Sequence, residues 1–600
     1  MVRRPWRRRL RRIGRRLRYG RHAGPARRYV LWGVGLLLGL GLVWLVVTGL
    51  LAKQQLSQLE QRIGVVRQLV SEGRLTEARA VAHDIPAMAD RAHHLTTGPA
   101  WWVGANIPFF GDPLDVVRGT TSAIDQLGGQ AIPDLVHVAG EIDPNELRVS
   151  GDTIKIGPLV AAAPGLQRAD ASITAAADEL RGLDSSTWLG AVDSRRATLL
   201  DQVTTLQGYV DAAARVSRVL PDLLGRTTPV RYFIGLQNEA EMRGTGGLPG
   251  AFAIAVVDHG TITFTHFESD AVFAKNIDTG LDFGAQYNAL YGPSEPTTSF
   301  ADSNVSPQFP YAAQVWAAMW QKVSGEHVDA VIGIDPTALS YFLGATGPTP
   351  LPSGGQLDAA NVVSLTQRDN YALYSNNDQR RAFLVSVLRA AARKVTSGAG
   401  TPLNLVQAAS RAGSQRRLVA WSSDPSIETA LQQSNFAGTL PSPSQPLAAP
   451  IVINAAAGKL DYYLNRTLTY SRTGCGPRRD VQVTITLQNT APSSGLPAYV
   501  TTRLDHPPPG AKPGDNHVLL DYYAGADSRL LSVTLDGAAS TAAAYTVDGH
   551  TVFRLDLELP RGTTQTVVLN LNEPAGVGTP VMWSQPGVTP LVVNEQNQSC

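Results

Sequence analysis

Between residues 231 and 267 the chain reads RYFIGLQNEAEMRGTGGLPGAFAIAVVDHGTITFTHF, which sets a dense group of polar residues beside short apolar runs. Arg243 offers a planar guanidinium suited to bidentate recognition of phosphate. The Gly-rich stretch after it can aim backbone N–H groups at an anion, so Asn238, Thr245, Gly246 and Gly247 are candidate ligand-binding residues. The same residues also fit a tight turn in which Arg243 simply pairs with Glu239 or Glu241. A second polar cluster, Gln367-Arg368-Asp369-Asn370, and a third, Asn376-Asn377-Asp378-Gln379-Arg380-Arg381, lie downstream. The third opens a helix, where anions are favoured and arginines oppose the macrodipole. Arg243, Arg368, Arg380 and Arg381 are therefore candidate catalytic cations for a phosphate-bearing substrate, or equally a solvated basic face. Glu239, Glu241 and Asp378 are the acids that would hold Mg²⁺ beside a diphosphate. No Gly-x-Ser-x-Gly elbow, Walker loop, His-Glu-x-x-His or Cys-x-x-Cys is present.

The elements that must position these residues are legible from periodicity. Short apolar runs predict strands over 232–236, 252–257 and, after the turn Asp258-His259-Gly260, over 261–267. The polar residues 238–247 then form a loop. Helices are predicted over 309–323 and 377–395, with a buried strand over 328–334 running into a helix that Asp335 caps and Pro336 begins. Strands interleaved with helices predict a central α/β domain with a mixed sheet over 228–435. The Pro- and Ser-rich stretch 436–460 reads as a linker. Regular short strands across 461–600 predict a β-sandwich.

Upstream, residues 1–28 contain thirteen arginines and no acid, and 29–52 is a run of 24 residues without a charge. This is the pattern of a cytoplasmic basic tail and a single transmembrane helix, with the bulk of the chain outside the plasma membrane. Beyond it, apolar residues at helical spacing (Leu56, Leu59, Ile63, Val66 and Val70, then Leu199, Val203, Leu206, Val210 and Ala213) predict an α-helical region over 53–227. A short hairpin is expected near 142–159. The aromatic-rich segment from Trp101 to Phe110 suits either the membrane interface or packing within that region.

Past Lys53 the acids outnumber the basic residues 50 to 38, which excludes a general nucleic-acid surface. Only 7 of the 52 basic residues are lysines, a bias of high-GC bacterial genomes such as those of actinobacteria. The two cysteines, Cys475 and Cys600, are expected to form one disulfide outside the membrane.

The residues from Asn238 to Gly247, with Asp329 to Pro336 and Gly347-Pro348, resemble an uncharacterised bacterial family of membrane-anchored proteins classed as a domain of unknown function. The order of elements is also distantly similar to the LytR-CpsA-Psr phosphotransferases. That resemblance implies arginines on a polyprenyl diphosphate, acids on Mg²⁺, and transfer of a lipid-linked glycan to peptidoglycan. Where that family carries Pro-Arg-Asp after its hairpin, this chain has Glu268-Ser269-Asp270. The expectation is thus an envelope protein that binds or transfers a phosphate-linked or polyprenyl-pyrophosphate-linked glycan. The alternative is a non-catalytic scaffold docking envelope protein partners through its helical and β-sandwich regions.

Overall fold

The structure, a computed structural model, describes residues 25–71, 74–141, 152–273 and 275–597. These divide into two compact units, one built from the residues up to Gly140 together with Pro164–Asp211, the other from Glu141–Ala163 together with the chain from Ala212 onward. Cys600 lies outside the described residues, and with it the expected disulfide.

In the first unit α1 (Pro25–Ser71) is one continuous helix of 47 residues. Its stretch Gly39–Leu69 is long and apolar enough to cross a membrane. Leu36, Leu40, Leu42, Val43, Trp44, Val46 and Leu50 on it are exposed. Farther along, Leu59, Val66 and Leu69 turn inward against Ala78, Ile85, Met88 and Ala89 of α2 (Leu75–Ala82) and α3 (Ile85–Thr96), so the predicted stripe is a core stripe. After these come α4 (Pro99–Ala105), α5 (Asp112–Gln126), α6 (Ile132–Glu141), α7 (Gly157–Gly182) and α8 (Gly190–Leu223), of which Pro164 onward in α7 and the part of α8 up to Asp211 belong to this unit. Val203 and Val210 of α8 pack on Ala169, Ile173 and Ala176 of α7, whereas Ala213 is exposed. Residues 142–151 of the expected hairpin lie outside the described residues. Of its remainder, Thr153 bridges to Thr261 and Gly157 already begins α7.

The second unit holds a mixed five-stranded sheet of β1 (Val230–Arg243), β2 (Gly246–Asp258), β3 (Thr261–Ser269), β4 (Ala330–Ile334) and β5 (Leu418–Ser422), in the order β3-β2-β1-β4-β5. The pair β1 and β4 is parallel and the other pairs are antiparallel. Helices cover both faces, as a sheet with a parallel crossover requires. On one, α9 (Phe309–Ser324) presents Trp316, Met319 and Trp320 to Phe233 and Phe252. On the other, α10 (Pro336–Thr346) and α11 (Asn377–Thr396) present Leu339, Leu343, Phe383 and Val387 to Leu236, Ala251 and Ile334. Asp335 caps α10 as expected, accepting from Ala338 N at 2.6 Å, with Pro336 in the first turn.

Two expectations are corrected. The polar residues after Leu236 are not a loop, because β1 runs on to Arg243 and every residue from Leu236 to Arg243 is buried. Only Gly244 and Thr245 separate it from β2. Nor is 436–460 a linker throughout. Its apolar end forms β6 (Leu447–Asn454), buried at every position.

That strand belongs to the remainder of the unit, where two sheets share one core. β7 (Leu464–Thr473), β8 (Arg478–Asn489), β9 (Asn516–Ala524), β10 (Arg529–Leu535), β11 (Ala538–Ala539), β12 (Ala543–Val547), β13 (His550–Leu559), β14 (Thr564–Pro574), β15 (Val581–Met582) and β16 (Val592–Asn597) complete it. The six-stranded sheet has the order β11-β10-β14-β8-β7-β16 and the five-stranded one β12-β13-β9-β6-β15. Leu468, Val483 and Leu569 of the first meet Val518, Leu520 and Leu555 of the second. Alternation along β8, with Val481, Val483, Ile485 and Leu487 inward, explains why this region was readable.

Gly247 is where the joint between β1 and β2 is tightest. A Cβ there would stand 2.2 Å from Asn238 C and 2.4 Å from Glu239 N, both backbone atoms, whereas at Gly250 the first neighbour is Leu384 Cδ1 at 3.6 Å. Gly247→Ala is therefore expected to cost at least ~2 kcal/mol. Gly250→Ala should stay within ~0.5 kcal/mol. Urea unfolding of the two variants checks this, and equal losses would refute the close-approach argument.

Candidate functional site

The register of β1 generates the site. Asn238 pairs with Leu248 and Met242 with Gly247, so Glu239, Ala240 and Glu241 have no partner on β2. Such a bulge re-aims side chains, and here it points two carboxylates into protein. Glu239 is fully buried. Its Oε1 accepts from Arg417 Nη1 at 2.8 Å, and its other oxygen accepts from the amide of Gln367. The same Arg417 nitrogen donates to Asp335 Oδ2 at 2.8 Å, and Nη2 donates to Gly587 O at 2.8 Å.

Glu241 accepts from Arg243 Nη2 at 3.0 Å and from the ammonium of Lys459. Arg243, 5% exposed, also pairs with Asp302 at 3.2 Å and donates to the carbonyls of Ala301, Met242 and Asn454. Met242 N donates to Asp461 Oδ2 at 2.7 Å, and Asp461 accepts further from Asn454 and Asn516. Of the two pairings the sequence left open, Arg243 thus takes Glu241.

One guanidinium faces two acids at Arg417, so burial and the charge of Asp335 push Glu239 well above the carboxylate range despite Arg417. Burial alone would discharge Lys459, but Glu241 outweighs it and raises the ammonium above its usual value.

The remaining predicted ligand-binding residues serve the same joint. Asn238 Nδ2 donates to Tyr371 Oη at 2.7 Å, and its Oδ1 accepts from Ala240 N at 3.1 Å. Thr245 Oγ1 donates to Gln237 Oε1 at 2.5 Å, while Asn304 Nδ2 donates to Thr245 Oγ1 and to Gly247 O, each at 2.8 Å. Gly246, with φ of 137°, takes a turn geometry suited to glycine.

The arginines do not converge on one point. Arg368, half exposed, donates to Asp369 at 2.7 Å and lies 5.7 Å from the centre of the Tyr462 ring. The Arg380 guanidinium carbon stacks 3.7 Å from the centre of the Tyr499 ring, and Nη1 donates to Tyr374 O at 2.6 Å. Lys459 Nζ is 5.6 Å from that same ring, and the Tyr371 ring is also 5.6 Å away. Arg381 turns to Asp270, donating at 2.9 Å, in a separate open groove of about 440 Å³ that Glu268, Asp378 and Arg389 help line.

A cleft of about 210 Å³ lies where the α/β sheet's loops meet the two-sheet region. Gln367, Arg368, Tyr371, Lys459, Tyr463 and Pro497 form its walls. Three of these are each held by a residue of β1: Tyr371 by Asn238, Gln367 by Glu239 and Lys459 by Glu241. Gln367 Oε1 is buried without a hydrogen-bond partner in the protein. The polar segment of β1 thus supports a cleft from behind. Arg417, Lys459, Tyr371 and Tyr499 were missed in the sequence, since only the fold brings them to β1 or to the residues it holds.

The residues expected to hold Mg²⁺ do not fit it. Glu239 and Glu241 are already paired to buried cations, and Asp378 is 88% exposed on a different surface. Among the described residues, Asp505, His517 and Glu558 do bring three donor atoms within 4.8 Å of one another. Arg503 already donates to Asp505 at 2.9 Å and to Glu558 at 2.6 Å, so a guanidinium supplies the positive charge there.

A family model described as a protein of unknown function (DUF4012) matches residues 228–371. The matched stretch carries β1 and both Gln367 and Tyr371, while Arg417 and Lys459 lie beyond it. No curated protein matches the chain. Among solved structures, a putative nutrient binding protein from Legionella pneumophila is similar over 22% of this chain and 45% of its own, at 9% identity and a TM-score of 0.15.

Removing Arg417 would leave Glu239 and Asp335 buried side by side. Arg417→Met should cost on the order of 3–5 kcal/mol. A carboxyl whose folded pKa is raised is stabilised when protonated, so the variant's deficit should be smaller at pH 5 than at pH 8. Glu239→Gln keeps an acceptor for Arg417 while removing one of the two buried negative charges, and should cost less than ~1.5 kcal/mol. Chemical unfolding at the two pH values tests both, and a pH-independent deficit in Arg417→Met would refute the account of two buried acids held by one guanidinium.

Proposed function

We propose that this chain is a membrane-anchored, extracytoplasmic cell-envelope protein that binds a phosphate-linked or polyprenyl-pyrophosphate-linked glycan and does not transfer it. The carrying observation is the support of the cleft by β1, since Asn238, Glu239 and Glu241 each hold one wall residue. Tyrosine rings suit the apolar faces of sugars, and the half-exposed Arg368 suits a phosphate. The thirteen arginines before the apolar part of α1 support a cytoplasmic N-terminus. In this reading the central sheet is LytR-CpsA-Psr-like and the C-terminal two-sheet region a β-sandwich. Binding is preferred to transfer because Arg243 is consumed by Glu241 and Asp302, and Arg381 faces another groove.

A second reading, a non-catalytic scaffold for envelope proteins, is favoured by a specific observation. Arg243, Arg368 and Arg381 each already have a carboxylate partner within the chain.

Titration of the full chain in detergent with a short-chain polyprenyl pyrophosphate, with and without Mg²⁺, separates the two. Saturable binding independent of Mg²⁺ is expected, weakened at least roughly tenfold in Arg368→Ala, whose half-exposed side chain can be removed without opening the core. Arg243→Ala is unsuitable as a binding variant because it uncovers two acids. Unchanged affinity in Arg368→Ala would remove the cleft from the account, and absence of saturable binding would favour the scaffold.

A further inference from the structure

The first unit carries an apolar surface that neither reading uses. Trp102, Val103, Ile107, Phe109 and Phe110, on α4 and the turn after it, are between 48% and 66% exposed. No Asp, Glu, Lys or Arg occurs between Arg91 and Asp112. Trp188 extends the patch, 53% exposed, with its ring 6.4 Å from that of Phe110. A contiguous exposed patch of large apolar side chains marks an interaction surface.

The height of this patch along α1 is fixed by its own packing. Trp101, next to Trp102, is buried and donates from Nε1 to Thr48 Oγ1 at 2.8 Å, with its ring beside Gly49. A Cβ on Gly104 would likewise lie 3.5 Å from Leu45 Cδ1. Leu45, Thr48 and Gly49 belong to the end of the uncharged run on α1. Lys53, the first charge after it, is one turn farther along, about 6 Å. The helix α4 therefore grips α1 where an apolar span gives way to polar chain.

The backbone is strained to hold the patch outward. Phe109 has a φ of 71°, a conformation costing a bulky residue on the order of 1 kcal/mol. Gly111 N closes the turn onto Ile107 O at 2.7 Å, and the rings of Phe109 and Phe110 meet edge to face at 5.4 Å.

We infer that the Trp102–Phe110 surface lies in the interfacial layer of the bilayer that α1 crosses, a second, non-spanning membrane contact that seats the first unit on the lipid. The inference rests on the membrane-anchored reading of α1. Tryptophan and phenylalanine on an uncharged surface are what that layer accommodates.

Photo-crosslinking of the full chain in phosphatidylcholine/phosphatidylglycerol proteoliposomes carrying a clickable lipid tests it. Benzoylphenylalanine would be placed singly at Phe109, at Leu40 on α1, and at Tyr209, which is 73% exposed on α8. Lipid adducts at Phe109 are expected to approach those at Leu40 and to exceed those at Tyr209 at least roughly tenfold. Adducts at Leu40 with only the Tyr209 level at Phe109 would overturn the inference and leave the anchor standing. Phe109 adducts to a second copy of the chain in place of lipid would also overturn it. Failure at Leu40 as well would remove the anchor on which it rests.

Discussion

Charge taken out of water has to be matched where it lies, and the buried half of β1 carries enough of it to organise everything packed around it. Glu239, Glu241 and Arg243 occupy alternate positions of a strand from which solvent is excluded. A buried ion pair gives little net stability, because the desolvation of both partners offsets their attraction. An unmatched charge in the same place is far worse. The consequence is specificity of arrangement: the bulge in β1, the cap of α10, the position of Lys459 and the path of the chain at Gly587 must all be correct together. The α/β sheet and the two-sheet region are consequently parts of one compact unit, although their strand patterns read as separate domains.

This arrangement also separates two roles that the residue types alone cannot distinguish. Arginines beside acids in a Gly-rich context have the composition of a phosphate site, but a guanidinium sharing two carboxylates and three carbonyls has little left to offer a ligand. What remains available is one layer outward, at Arg368, Tyr371, Tyr463 and the unpartnered carbonyl of Gln367. A rigid inner layer that places an outer one is the usual support for a binding surface.

Much of the fold was legible because its signals are local. The inward alternation at Val481, Val483 and Ile485, the Asp335-Pro336 helix start and the run from Ala330 to Ile334 each report on a few consecutive residues. The errors arose where the deciding partner is distant. Polarity from Asn238 to Arg243 suggested a solvated loop, since nothing near it announces Arg417 or Lys459. The proline- and serine-rich stretch 441–446 coloured the reading of its apolar neighbour, β6. The polar residues of β1 were legible as residue types, while their geometry and the partners Arg417, Lys459 and Tyr371 were not. Asn238 and Glu241 belong to it, but as supports behind the cleft, and Asp378 stands on another surface.

The contacts of Gln585 and Gly587 reach back across most of the second unit: Gln585 Nε2 donates to Arg243 O at 2.7 Å, and Gly587 O receives Arg417. A chain is made from its N-terminus, so β1 is complete long before the segment that closes over it exists. Until then Arg243 O lacks the amide of Gln585 and Arg417 lacks the carbonyl of Gly587. These contacts are of long sequence separation, the kind whose loop-closure entropy must be met before they form. Loss of the final few dozen residues would strip β15 and β16 from the two-sheet region and would also be felt hundreds of positions upstream, at Arg243 and Arg417.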